Sequence, residues 1–173
     1  MELINETLDQ VLAHNVKNFP DREAVVYVDD KIRLTWKKIN TLSDQIAKGF
    51  LAMEIQRGDH IAIWGTNKLP WLLTQIAAAK IGAPLVTINP EWKGQELEYA
   101  LKQSDTKLLV MFPGFEKTTQ GKKYVYDYIK ILKEVCPELP SQNPEKLNLE
   151  KFPFLKKMLF NSFTNLDFHN FIY

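Results

Sequence analysis

The sequence predicts an α/β fold: a partial, doubly wound, mostly parallel sheet with helices on both faces, preceded by one helix and a short β-hairpin. Two observations carry this. From residue 60 onward short apolar runs alternate with stretches of helical period. Several of those runs, "HIAIW" (60–64), "PLVTI" (84–88) and "KLLVM" (107–111), are almost continuously apolar, as strands buried on both faces must be.

The elements follow in order. "TLDQVLAHNVKNFP" opens with a capping box, Thr7 accepting at the helix start and Gln10 reaching back. Leu8, Val11 and Leu12 form its apolar face, and Pro20 lies beyond its end. "AVVYVDDKIRLT" alternates and turns at Asp29-Asp30, predicting a hairpin. Thr35 is placed to cap a second helix, whose face is Ile39, Leu42, Ile46, Phe50 and Met53. After the "HIAIW" strand, Leu69, Leu72, Leu73 and Ile76 mark a helix that Gly82 ends. Leu97, Ala100 and Leu101 mark another. Tyr124, Val125, Tyr128, Ile129, Leu132 and Val135 fall at helical spacing, predicting one long amphipathic surface helix stopped by Pro137. "PELPSQNPEKLN" (137–148) reads as a loop, and "FLKKMLF" (154–160) as a fourth strand. "NSFTNLDFHNFIY" (161–173) has no clear period.

Composition narrows the function. The chain has 173 residues and a formal net charge of +1, so no domain-wide field gathers nucleic acid or anionic lipid. One cysteine, Cys136, excludes an internal disulfide and points to a reducing compartment, with the cytoplasm as default. It closes a helix, where the dipole disfavours a thiolate, so a structural role is expected. His14, His60 and His169 are scattered without metal spacing, so no metal site is expected. Trp64, Trp71 and Trp92 read as core or near-core aromatics. No basic targeting segment and no apolar run of membrane-spanning length is visible.

Open α/β sheets bind ligands beyond the C-terminal ends of their strands. Three loops lie there: Gly65-Thr66-Asn67, Asn89-Pro90 and Pro113-Gly114. Thr66, Asn67 and Asn89 are the candidate binding residues. Each has a plainer reading: Asn67 caps the helix 68–81, and Asn89-Pro90 is turn chemistry. A backbone cradle for phosphate needs clustered glycines. The seven glycines, at 49, 58, 65, 82, 94, 114 and 121, are never closer than seven positions, so neither G-x-G-x-x-G nor G-x-x-x-x-G-K can occur.

Two stretches resemble a known family. "LTWKKIN" (34–40) resembles the first core motif of the acyl-adenylate-forming enzymes, and "RGDHIAIWGTNKLPWLLTQIAAAKIGAPLVTINPEW" (57–92) a second core region in their fatty-acyl-CoA synthetases. "ELEYALKQSDTKLLV" (96–110) and "ILKEVCPEL" (131–139) look most like the medium-chain type, called acyl-CoA synthetase family member 2. The resemblance covers roughly residues 7 to 160 and places 1–160 in the N-terminal part of a large AMP-binding domain, with 161–173 a divergent aromatic tail. It implies a two-step ligase. A fatty acid and ATP-Mg²⁺ give acyl-AMP and pyrophosphate, and coenzyme A then displaces AMP to give the thioester. The phosphate loop and the other nucleotide-holding motifs of that family lie downstream of the motifs present here. No catalytic residue therefore carries over, and this chain alone is expected to be inactive and to hold none of ATP, magnesium or CoA. A mitochondrial location comes only from the resemblance. Two other readings stand beside this one: one half of a split ligase, and a non-catalytic interaction module built on Phe163, Phe168, Phe171 and Tyr173. An edge strand left unpaired would favour self-association.

Overall fold

The computed structural model describes residues 5–143 and 146–161. The chain divides into two compact units, Met1–Gly58 with Asn67–Pro84, and Asp59–Thr66 with Leu85–Tyr173.

In the first unit helix α1 spans Leu8–Asn18 and opens on the expected capping box: Thr7 Oγ1 accepts from Gln10 N, and Gln10 Oε1 accepts from Thr7 N at 2.8 Å. Strands β1 (Glu23–Tyr27) and β2 (Ile32–Thr35) pair antiparallel as the hairpin expected at Asp29-Asp30. Arg33 closes it with two hydrogen bonds to the Glu23 carboxylate, which holds Glu23 below the usual carboxylate range. Thr35 caps helix α2 (Trp36–Ala52), accepting from Lys38 N. Ile39, Leu42, Ile46 and Phe50 are buried at the predicted spacing. Helix α3 spans Leu69–Lys80. Its terminal Lys80 binds Asp9 of α1 at 3.2 Å, and Asp44 and Asn40 of α2 at 2.8 and 2.7 Å, so one ammonium joins three helices. Gly82 then takes φ +70°, the left-handed conformation that ends a helix cheaply only at glycine.

The second unit holds the sheet. Strands β3 (Ile61–Trp64), β4 (Leu85–Ile88), β5 (Leu108–Met111) and β8 (Lys157–Phe160) are all parallel, in the order β4-β3-β5-β8. Side chains alternate along each strand. Ala62, Trp64, Leu109 and Met111 therefore share one face, where they form a cluster with Leu97 and Leu101 of helix α4 (Gly94–Gln103) and Tyr128, Leu132 and Val135 of helix α5 (Tyr128–Val135). Ile61, Ile63, Leu108 and Val110, which point the other way, are buried too. Burial on both faces is why these strands read as unbroken apolar runs.

One expectation is overturned. The long helix through Tyr124 and Val125 does not form. Residues Gly114–Thr119 and Lys122–Asp127 are antiparallel strands β6 and β7, and the helix begins only at Tyr128. Thr119 pairs with Lys122 across a two-residue turn in which Gln120 and Gly121 take φ +50° and +73°. Positive φ at both central residues is the turn whose twist matches a hairpin, and Gly121 adopts it without penalty. The turn, with β-prone Tyr124, Val125 and Tyr126, outweighs the helical spacing. Asp127 then caps α5, accepting from Lys130 N at 3.0 Å. A 3-10 turn follows at Leu139–Ser141.

Candidate functional site at the strand ends

From β3 the chain passes outward to β4 on one side, then returns across β3 to β5 on the other. The switch point lies between the C-terminal ends of β3 and β5, where an open sheet of this kind forms its ligand crevice. Gly65-Thr66, Asn89-Pro90-Glu91 and Phe112-Pro113-Gly114 surround it within the second unit.

A side chain packs at this point. Phe112 accompanies β5 past the sheet, its N–H donating to Trp64 O at 3.3 Å, and its buried ring lies on the α-carbon of Gly65. A Cβ at position 65 would overlap the ring. Glycine is required at 65 for this approach.

The pairing of Trp64 with Ile88 brings Thr66 and Asn89 to the same end of the sheet. Asn89 is already engaged: its Oδ1 accepts from Glu91 N at 2.9 Å and its carbonyl from Trp92 N at 3.1 Å, so the turn reading holds. Asn67 falls in the first unit, and its expected capping role is overturned. The N-cap of α3 is Lys68, which makes no side-chain capping bond and instead binds the Asp30 carboxylate at 2.8 Å. Pro70 explains the tolerance, because a proline in the first turn removes one of the amides that a cap would satisfy.

The β6–β7 hairpin is inserted in the connection from β5 to α5, closed at its base by Tyr128 N donating to Pro113 O at 3.2 Å. Lys117 of β6 binds Glu91 at 2.6 Å and Tyr126 of β7 approaches the same carboxylate at 3.4 Å. The Lys117 hydrogen bond holds Glu91 below the usual carboxylate range and raises Lys117 in turn. Beneath it the Tyr128 ring stacks on Trp64 at 3.8 Å and its hydroxyl donates to Pro90 O at 2.8 Å; burial pushes that phenol well above its ordinary value. Glu91, Lys117 and Tyr126 were not singled out from the sequence. The dipeptide Gln120-Gly121 between two β-prone runs was the signal that could have found their hairpin.

Neither Gly65, covered by Phe112, nor Asn89, engaged in its own turn, offers a phosphate a ready cradle. Among the described residues no three of His, Cys, Asp and Glu gather to hold a metal. His14 pairs with Glu6, His60 Nδ1 meets the Ser104 carbonyl, and His169 lies outside the described residues.

Comparison with known proteins adds what the loops do not supply. The model for the family described as AMP-binding enzyme matches residues 12–164, most of the chain. The chain belongs to the AMP-binding enzyme family. It is 41% identical over 159 residues to a protein named acyl-CoA synthetase YngI from Bacillus subtilis, covering 92% of this chain and 28% of that protein. It is 38% identical over 157 residues to the medium-chain acyl-CoA ligase ACSF2, mitochondrial, of Mus musculus, covering 91% and 24%. Among solved structures, a long-chain-fatty-acid CoA ligase from Rhodopseudomonas palustris aligns with TM-score 0.69 and 26% identity over 95% of this chain and 35% of that one. The N-terminal domain of FACL13 from Mycobacterium tuberculosis aligns with TM-score 0.60 and 25% identity, over 62% of this chain and 27% of that one. The chain therefore spans about a quarter of the length of the curated relatives it matches. The resemblance to fatty-acyl-CoA synthetases is thus borne out for an AMP-binding family member. No described helix is long and apolar enough to cross a membrane.

Proposed function

We propose that this chain is the N-terminal segment of a fatty-acyl-CoA synthetase, and that it does not adenylate a fatty acid on its own. The 41% identity to YngI across 92% of the chain carries the reading. In the parent reaction a fatty acid carboxylate attacks the α-phosphate of ATP, releasing pyrophosphate, and a CoA thiolate then displaces AMP from the acyl adenylate. ATP, magnesium and CoA belong to that reaction in the longer relatives. The role of this segment is to supply sheet and core against which a nucleotide-holding region is built. Residues 1–160 form part of the large AMP-binding domain, and 161–173 are a divergent tail. The cytoplasm is the default location. The word mitochondrial in the ACSF2 names makes mitochondria the alternative, which a fluorescent fusion distinguishes.

A chimera tests the function. The matching stretch of YngI is replaced by this chain's residues, and ATP–pyrophosphate exchange is measured with medium-chain fatty acids. We expect exchange from the chimera and none from the 173-residue chain. A folded chimera without exchange, or clear exchange by the chain alone, overturns the reading.

A further inference from the structure

Three strand ends meet on one residue. Tyr128, the first residue of α5, is fully buried. Its ring stacks on Trp64, the last residue of β3, with centroids 3.8 Å apart and planes 15° from parallel. Its hydroxyl donates to Pro90 O, just past the end of β4, at 2.8 Å. Its N–H donates to Pro113 O, just past the end of β5, at 3.2 Å. Each contact reaches a different strand, and all three lie at the C-terminal ends, around the switch point between β3 and β5. The β6–β7 hairpin returns the chain to that place. Gly114 stands at φ +133°, and a Cβ on it would strike Tyr126 O, so glycine lets the base of the hairpin close.

The turn 89–92 depends on this residue. Its internal bonds run from Glu91 N to Asn89 Oδ1 and from Trp92 N to Asn89 O. The hydrogen bonds that tie it to the hairpin and α5 are the Tyr128 hydroxyl on Pro90 O, and Lys117 and Tyr126 on the Glu91 carboxylate. The Glu91–Lys117 pair is exposed, where an ion pair holds little. The Tyr128 bond comes from a buried ring that stacking already fixes, so it carries most of the constraint.

We propose that Tyr128 is a positioning residue: through its hydroxyl it holds the turn 89–92 in one place beside the switch point, set for a substrate of the assembled enzyme. The proposal rests on the functional reading above for the existence of that substrate. A turn that is in place only part of the time lowers apparent affinity by the fraction in place and leaves the step after binding unaltered. Loss of the hydroxyl is therefore read in KM and not in kcat.

The test uses the chimera with YngI described above. ATP, coenzyme A and a medium-chain fatty acid are varied in turn with the other two saturating, and thioester formation is followed. Tyr128→Phe keeps the ring that stacks on Trp64 and the backbone bond to Pro113 O, and removes one hydrogen bond. We expect KM for at least one substrate to rise about three- to tenfold, the range that one lost hydrogen bond allows, with kcat little changed. Tyr99→Phe on the exposed side of α4 should move neither constant. A merely structural loss would shrink the active fraction, lowering kcat for all three substrates alike, and circular dichroism checks that each variant folds. If Tyr128→Phe does not fold, Lys117→Met at the surface decides instead: a rise in KM at unaltered kcat supports the proposal, and no rise overturns it. KM values unchanged in a folded Tyr128→Phe chimera, or a fall in kcat alone, would overturn the proposal and leave the functional reading standing. A folded, unsubstituted chimera that forms no thioester would overturn the functional reading and this proposal with it.

Discussion

The Phe112 ring rests on the bare α-carbon of Gly65, at the C-terminal ends of the paired strands β3 and β5. Gly65→Ala forces a methyl group into that ring. We expect a loss of about 1–3 kcal/mol, the usual cost of overpacking. Phe112→Ala in the same chain should recover part of it, because the clash is then gone. Urea unfolding of the two single variants and the double variant measures the coupling, and strict additivity would show that the contact is not the cause.

The hairpin depends on Gly121, which stands at φ +73°. Gly121→Val places a β-branched side chain in the left-handed region, at a cost of about 1–2 kcal/mol. Amide exchange should speed up across Gly114–Asp127 and stay unchanged in β3 and β5. Gln120→Asn, which creates the Asn-Gly pair preferred in such turns, should slow it.

Lys80 holds α1 and α2 through Asp9, Asp44 and Asn40, with its own side chain only 10% exposed. Lys80→Met keeps the aliphatic stem and removes the three bonds. Asp9 and Asp44 remain half exposed and regain water, which limits the loss to about 1–3 kcal/mol. The melting temperature should fall, and the dependence of stability on salt should weaken.

Cys136 is fully buried, and burial raises its thiol from 9.0 to about 12. At pH 8 it should react with iodoacetamide only on unfolding, in contrast to an exposed thiol. The same shift sets a pH dependence. The unfolded chain releases the thiol proton near 9 and the folded chain only near 12. Stability from this group is therefore complete below pH 9 and is lost as pH rises from 9 toward 12. Cys136→Ser, followed by denaturant titration across that range, should flatten the decline. An unchanged slope would assign it to other groups, Tyr128 first, whose buried phenol shifts in the same direction.

The Glu91–Lys117 pair should be visible by titration. Its hydrogen bond lowers Glu91, so the pairing is intact above the ordinary carboxylate range and is lost as pH falls through the lowered value. Lys117→Met should shift the Glu91 carboxyl resonance to titrate at higher pH. Both groups lie at the surface, so little change in global stability should accompany it.

By itself the sequence determined the parts whose causes are local. Thr7 with Gln10 and Thr35 with the amide of Lys38 are capping contacts within one turn, and they form where the residue types place them. The runs 61–64 and 108–111 are strands buried along their whole length, 85–88 is a strand at the end of the order with Thr87 exposed, and the glycine spacing excludes G-x-G-x-x-G and G-x-x-x-x-G-K. The tertiary structure decided what depends on distant partners. Tyr124 and Val125 satisfy helical and strand periods alike, and the Gln120-Gly121 turn with cross-strand pairing chose the strand. Asn67 had the chemistry of a cap, but the helix began two residues later, after Lys68 had turned to Asp30, 38 positions away. That Gly65 faces Phe112, and Glu91 faces Lys117, follows from strand order and hairpin placement, which no local pattern encodes.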